Sequence, residues 1–225
     1  MQWLDLTLDV FFPQSCPACG APPARTGPLS LCARCDEALW SLPRALPLGP
    51  GQRTAVALGA YEGPLGRALL HAKAGGHRRA LHRLGCWAAH RLAHRLPPVD
   101  AVVPVPSSLT RGFDSARLVA GPVAKRLGVP LVPLIQRVSP QGQRGRNAIL
   151  RRGRAAEAYR VPAPEAHKLP ARVLLFDDVH TTGSTVSACT QELLGAGVRR
   201  VHVVALTTAR LESETERPQL HGLPI

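Results

Sequence analysis

The sequence predicts an α/β domain, a parallel sheet whose strands alternate with helices, preceded by a small cysteine-bearing module. Apolar runs of strand length occur at 54–61, 100–106, 173–176 and 200–206. The stretches between them carry apolar residues at helical spacing, the pattern of parallel strands joined by helical crossovers. Four of the six cysteines fall in two C-x-x-C pairs near the N-terminus, in a segment with little apolar content of its own.

The chain has 225 residues, enough for one α/β domain of roughly 150–200 residues and a small appendage. No apolar run reaches the roughly 18 residues of a membrane span, so none is expected. Residues 1–12 are apolar but carry Asp5 and Asp9 and no basic head, which does not read as a signal peptide. The expected location is cytoplasmic. Net charge is +13 and the pI about 10.9, which favours anionic partners, nucleic acid or phosphorylated ligands. Few of the 28 basic residues are lysines, and Ala, Gly and Pro are abundant. A GC-rich coding bias would produce the same excess, so charge alone leaves a nucleic-acid partner open.

Residues 2–12, with Trp3, Leu4, Leu8, Phe11 and Phe12, suit a helix packed on its own domain. Cys16 and Cys19 then pair with Cys32 and Cys35, twelve residues on. Each C-x-x-C sets two thiolates on one metal edge, and two such knuckles complete a tetrahedral four-cysteine zinc site. That reading outweighs a redox pair or buried free thiols. No position is left open, so the zinc would be structural, and it would supply much of the local folding free energy. Cys86 and Cys189 fall on expected helix faces and are expected in the core.

A Pro-, Leu- and Gly-rich stretch from Ser41 to Gly51 reads as a linker. After the strand at 54–61, a helix runs to the break at Gly75-Gly76, and a second helix covers 77–96. Between Glu62 and Asp100 there is no acid, while Lys73, Arg78, Arg79, Arg83, Arg91 and Arg95 lie there with five histidines. A face for single-stranded nucleic acid and a solvated helix face both fit. The strand from Asp100 ends in Pro104 and Pro106, which argues against a central position. Ser107 to Gly112 follows as a loop with two serines and Arg111, at the sheet edge where α/β proteins bind ligands. A helix from Ala116 to Leu127 and a short strand at 129–134 complete a βαβ step. The span 137–154 holds six arginines and no acid and reads as a mobile loop. The last strand covers 200–206, and a frayed tail is expected from 211.

The stretch V-L-L-F-D-D-V-H-T-T-G-S-T, Val173 to Thr185, carries the chemistry. A buried strand ends at Asp177 and Asp178, a turn of Thr181, Thr182, Gly183, Ser184 and Thr185 follows, and Val186, Cys189 and Leu193 then recur at helical spacing. A turn of small residues feeding a helix N-terminus offers N–H groups and a positive dipole to a phosphate. Two carboxylates just upstream can accept from a vicinal diol. Together they fit a ribose 5-phosphate better than a plain turn with two solvated acids. Neither a Walker loop nor a G-x-G-x-x-G fingerprint occurs.

These thirteen residues resemble the phosphoribosyl-pyrophosphate (PRPP) motif of the type I phosphoribosyltransferase fold. With the four-cysteine ribbon, P-V-P at 104–106 and Arg111-Gly112-Phe113, the chain resembles the ComF family of bacterial competence proteins. The resemblance implies a phosphoribosyltransferase-like domain over 51–212, a zinc ribbon with helix and linker over 1–50, and a tail over 213–225. It implies Asp177 and Asp178 as catalytic acids, Ser107 and Arg111 in the pyrophosphate loop, and a closing loop over 137–154. The chain departs from the family pattern in a shorter pyrophosphate loop, in Asp114-Ser115 where Asn-Gln is usual, and in Arg154 where Asn is usual. The implied function is PRPP or nucleotide binding in a protein that helps take up single-stranded DNA during natural transformation, beside a helicase. The alternative is an active phosphoribosyltransferase, using Mg²⁺ with PRPP, on an unidentified acceptor.

Overall fold

A computed structural model describes residues 15–22, 29–39, 42–93, 95–107, 113–138, 159–162 and 169–209. The expectations for residues 2–12, Arg111, the body of the 137–154 loop and the tail lie outside these residues.

Each apolar run becomes a strand, and alternation within it decides the layers. A short helix α1 (Ala33–Glu37) lies in the cysteine module. The strands β1 (Arg44–Ala45), β2 (Gln52–Ala60), β3 (Ala101–Pro104), β6 (Arg172–His180) and β7 (Arg200–Thr208) form one sheet in the order β1-β2-β7-β6-β3. All pairs are parallel except β1 with β2. The helices are α2 (Pro64–Ala74), α3 (Arg78–Leu92), α4 (Ser115–Leu127) and α5 (Ser184–Gly195). A separate two-stranded pair joins β4 (Gln136–Arg137) to β5 (Tyr159–Arg160).

Leu174, Phe176, Val204 and Leu206 bury one sheet face under α2, α3 and α4, through Leu69, Leu81, Leu84, Trp87 and Val119. Val173, Leu175, Val203 and Ala205 bury the other face against Val186, Cys189 and Leu193 of α5. Gly85 lets α3 and α4 close on each other, since a Cβ there would lie 2.4 Å from the Val119 carbonyl oxygen. The helices that follow neighbouring strands β3 and β6 therefore leave on opposite faces. Such divergence marks a topological switch point, at whose carboxyl edge α/β sheets bind ligands.

The fold class stands, with four local differences. The strand expected at 129–134 is a single bridge, Val102 to Leu131, because Pro130 and Pro133 remove two of its donors. The linker contributes β1, and its Leu46 is buried. The second helix ends at Leu92, ahead of Pro97-Pro98. Cys86 is exposed, not core: the buried stripe of α3 runs through Leu81, Leu84, Ala88 and Leu92 and leaves it outside.

Candidate functional site

Each C-x-x-C pair is wrapped by its own backbone. The Cys16 carbonyl accepts from the N–H groups of Cys19 (3.3 Å) and Gly20 (2.8 Å), and the Cys32 carbonyl from those of Cys35 (3.0 Å) and Asp36 (2.9 Å). Those turns bring all four Sγ atoms within 4.8 Å of one another. Zn–S bonds of about 2.3 Å in a tetrahedron call for sulfurs about 3.8 Å apart, and Cys19 and Cys32 stand at 3.6 Å. The four cysteines are thus positioned to bind a metal. Burial pushes the Cys16 thiol up, but backbone N–H donors at Cys32, Ala18 and Cys19 outweigh it and bring the thiol down to about 7. Burial, then the neighbouring thiols, pushes Cys35 up to about 12. The module does not stand apart. Cys16, Leu29, Leu31 and Cys35 share a core cluster with Leu65, Leu69 and Trp87, and Arg67 Nε of α2 donates to the Ala18 carbonyl (3.0 Å).

In the sheet, β6 does not stop before its acids. It continues to His180, with Val179 beside Thr207 and His180 beside Thr208 of β7. Asp177 and Asp178 therefore lie inside the strand, 7% and 8% exposed, and alternation sends them to opposite faces. Asp178 goes to the α2/α4 face. Lys73 Nζ stands 2.6 Å from its Oδ2, and Ser115 Oγ donates to the same oxygen at 2.5 Å. Asp177 goes toward α5, and its Oδ1 accepts from the Asp178 N–H at 2.8 Å. Burial, then the charge of Asp178, raises the Asp177 carboxyl to about 7, with Lys73 pulling the other way.

The turn after β6 is open. Thr181, Thr182 and Ser184 are exposed, and Gly183 and Thr185 are half-buried. Gly183 has φ of +79°, a conformation L side chains avoid, and a Cβ there would meet His180 Nε2 at 3.0 Å. Helix α5 starts at Ser184 with no acid in its first turn, and Thr182 Oγ1 and Ser184 Oγ stand 3.0 Å apart. Ser107 lies near this edge too, past β3, but its hydroxyl donates to Asp114 Oδ1 (3.1 Å), which also caps α4 by accepting from the Arg117 N–H.

Lys73 and Ser115 are the site residues sequence reasoning missed. Lys73 stood among arginines and read as part of a basic face, though it is the lone lysine between Glu62 and Asp100. Ser115 belongs to the Asp-Ser pair that departs from the family pattern. The exposed outer side of α3 does carry Arg78, Arg79, His82, Arg83 and His90. No helix among the described residues is long and apolar enough to cross a membrane.

No family model matches the chain. Over 122 residues it is 31% identical to Competence protein F of Haemophilus influenzae, 52% of this chain and 53% of that protein. The chain thus spans about half the length of the curated relative it matches, and that name agrees with the family the sequence resembles. Among solved structures, it is similar to the glutamine PRPP amidotransferase of B. subtilis at 22% identity, covering 57% of this chain and 26% of that one, with a TM-score of 0.42. Adenine phosphoribosyltransferase of Leishmania tarentolae follows at 16% identity, 73% and 94% coverage and a TM-score of 0.40.

Proposed function

We propose that this chain is a ComF-type protein that binds PRPP or another ribose 5-phosphate and acts in the uptake of single-stranded DNA during natural transformation, with structural zinc on its four cysteines. The observation that carries the ligand reading is the Thr181–Thr185 turn. It offers exposed hydroxyls and the N–H groups of the α5 N-terminus at a sheet's carboxyl edge, beside two buried acids. The 5-phosphate sits on that turn, and Asp177 and Asp178 accept from the ribose hydroxyls. Mg²⁺ would accompany the pyrophosphate of PRPP. The ribbon portion spans 1–50 and the ligand-binding domain 51–212. DNA meets the exposed arginines of α3, and a helicase is the proposed protein partner.

Calorimetry with PRPP, ribose 5-phosphate and inorganic phosphate, with and without Mg²⁺, tests the ligand. Gly183→Val should abolish binding of all three. Asp178→Ala paired with Lys73→Met, which strands no buried charge, should weaken the two sugar phosphates but spare inorganic phosphate. At about 1–3 kcal/mol per charged hydrogen bond, the loss is roughly 10- to 100-fold. A wild-type protein that binds no 5-phosphate at millimolar concentration would sink this reading. For DNA, reversing the charges of Arg78, Arg79 and Arg83 should flatten the slope of log affinity against log salt by about 2 or more. An unchanged slope would remove α3 from the DNA path.

A further inference from the structure

We infer that Lys73 and Ser115 are positioning residues for the ribose edge: both engage Asp178 Oδ2, fixing that carboxylate between α2 and α4 and leaving Oδ1 as the acceptor a ligand hydroxyl meets. The inference rests on the ribose 5-phosphate reading and names what holds one of its acceptors in place.

Three elements converge on Asp178. Lys73 comes from the last turn of α2, with its side chain 12% exposed and its ammonium 2.6 Å from Oδ2. A nearly buried ammonium and carboxylate are tolerated only as a well-bonded pair, so each restrains the other. Ser115 is the first residue of α4 and is buried, and its hydroxyl reaches the same oxygen. Thr207 of β7 donates its Oγ1 to the Asp178 carbonyl at 3.1 Å, so the backbone is held as well. A carboxylate has about four lone-pair sites, and its side-chain partners among the described residues are both on one oxygen. The other oxygen is left for a hydroxyl donor.

The bonds also tie the connection between β3 and α4 to β6. Ser107, after β3, donates to Asp114, whose carboxylate caps α4 and so sets the position of Ser115. Among the described residues, Asp177 has no such scaffold. Its Oδ1 accepts from the N–H of Asp178, and Asp178, Lys73 and Cys189 are the charged or titratable groups that act on it or feel its field.

The test uses the full chain and two probes, ribose 5-phosphate and inorganic phosphate. Lys73→Met should weaken ribose 5-phosphate about tenfold or more while leaving inorganic phosphate within about twofold. Ser115→Ala should weaken the sugar phosphate less, and Lys73→Arg, which keeps the charge, should retain most of the affinity. Equal losses for both probes would show that Lys73 touches the phosphate or only supports the fold, and would overturn the inference. So would an unchanged sugar-phosphate affinity in Lys73→Met. A second readout needs no ligand. Because the Lys73 charge holds Asp177 down, the carboxyl-carbon titration of Asp177 should move upward from about 7 in Lys73→Met. An unmoved midpoint overturns the placement of Lys73 by itself, whereas wild-type protein that binds no ribose 5-phosphate overturns the ribose site.

Discussion

The cysteine cluster and the carboxyl edge of the sheet are assembled in opposite ways. All four sulfurs come from two short knuckles whose turns are closed by their own backbone bonds. The edge draws Lys73 from α2, Ser115 from α4, Asp177 and Asp178 from β6, and Thr207 from β7. The first is local chemistry seated on a distant core through Leu29 and Leu31, and the second is distant chemistry seated on a local turn. A local donor set survives as long as its knuckles do. A convergent one depends on every element that feeds it.

The strongest way to break the comparison is at the metal. Purified protein should carry about one zinc per chain, and Cys16→Ser should lose it, with exchange protection lost across 15–22 and 29–39. Structural zinc sites contribute on the order of 10–16 kcal/mol of apparent binding free energy, so this should be the largest effect. Metal-free protein with an unchanged, folded N-terminal segment would reject the site. The next effect asks whether the module is independent. Leu31 is 1% exposed and packs in the same cluster as Leu69 and Trp87. Leu31→Ala should therefore lower the global unfolding free energy by about 2–5 kcal/mol in urea titrations. A lost module with an unmoved sheet transition would mean that the two regions fold separately.

The smallest effect is in the pH dependence of the edge. Burial and the charge of Asp178 raise the folded Asp177 carboxyl to about 7, above the roughly 3.9 of an unfolded aspartate. The folded state keeps this proton where the unfolded chain has released it. Its contribution to stability is therefore full below about pH 4 and is lost as pH rises toward about 7. Asp177→Asn should flatten that fall, measured as the change in Tm between about pH 4 and about pH 8. Parallel curves for the two proteins would show that Asp177 does not titrate this way. Asp100, at the opposite end of the sheet, has the other sign. Bonds from Arg172 hold it below the usual carboxylate range, so its contribution is lost as pH falls.

Much of the architecture was legible because it rests on short-range rules. Val173 to Phe176 read as a buried strand, Gly75-Gly76 as a break and Val186, Cys189 and Leu193 as one helix face, and each does so in the structure. The end of β6 was misjudged, since two acids look like a strand terminus until β7 is known to supply partners through Thr208. Cys86 was misjudged because an exposed thiol and a buried one share the same helical spacing until the packing side is known.

The sequence by itself determined the alternation of strands and helices, the two cysteine knuckles and the Thr181–Thr185 turn, since each depends on residues a few positions apart. Only the tertiary structure decided that Asp177 and Asp178 face opposite layers, that Lys73 and Ser115 close on Asp178, and that the cysteine module shares a core with α2 and α3. Ser115 and Asp178 are 63 residues apart. No periodicity or spacing encodes such a meeting, because it follows from which helix leaves which face of the sheet.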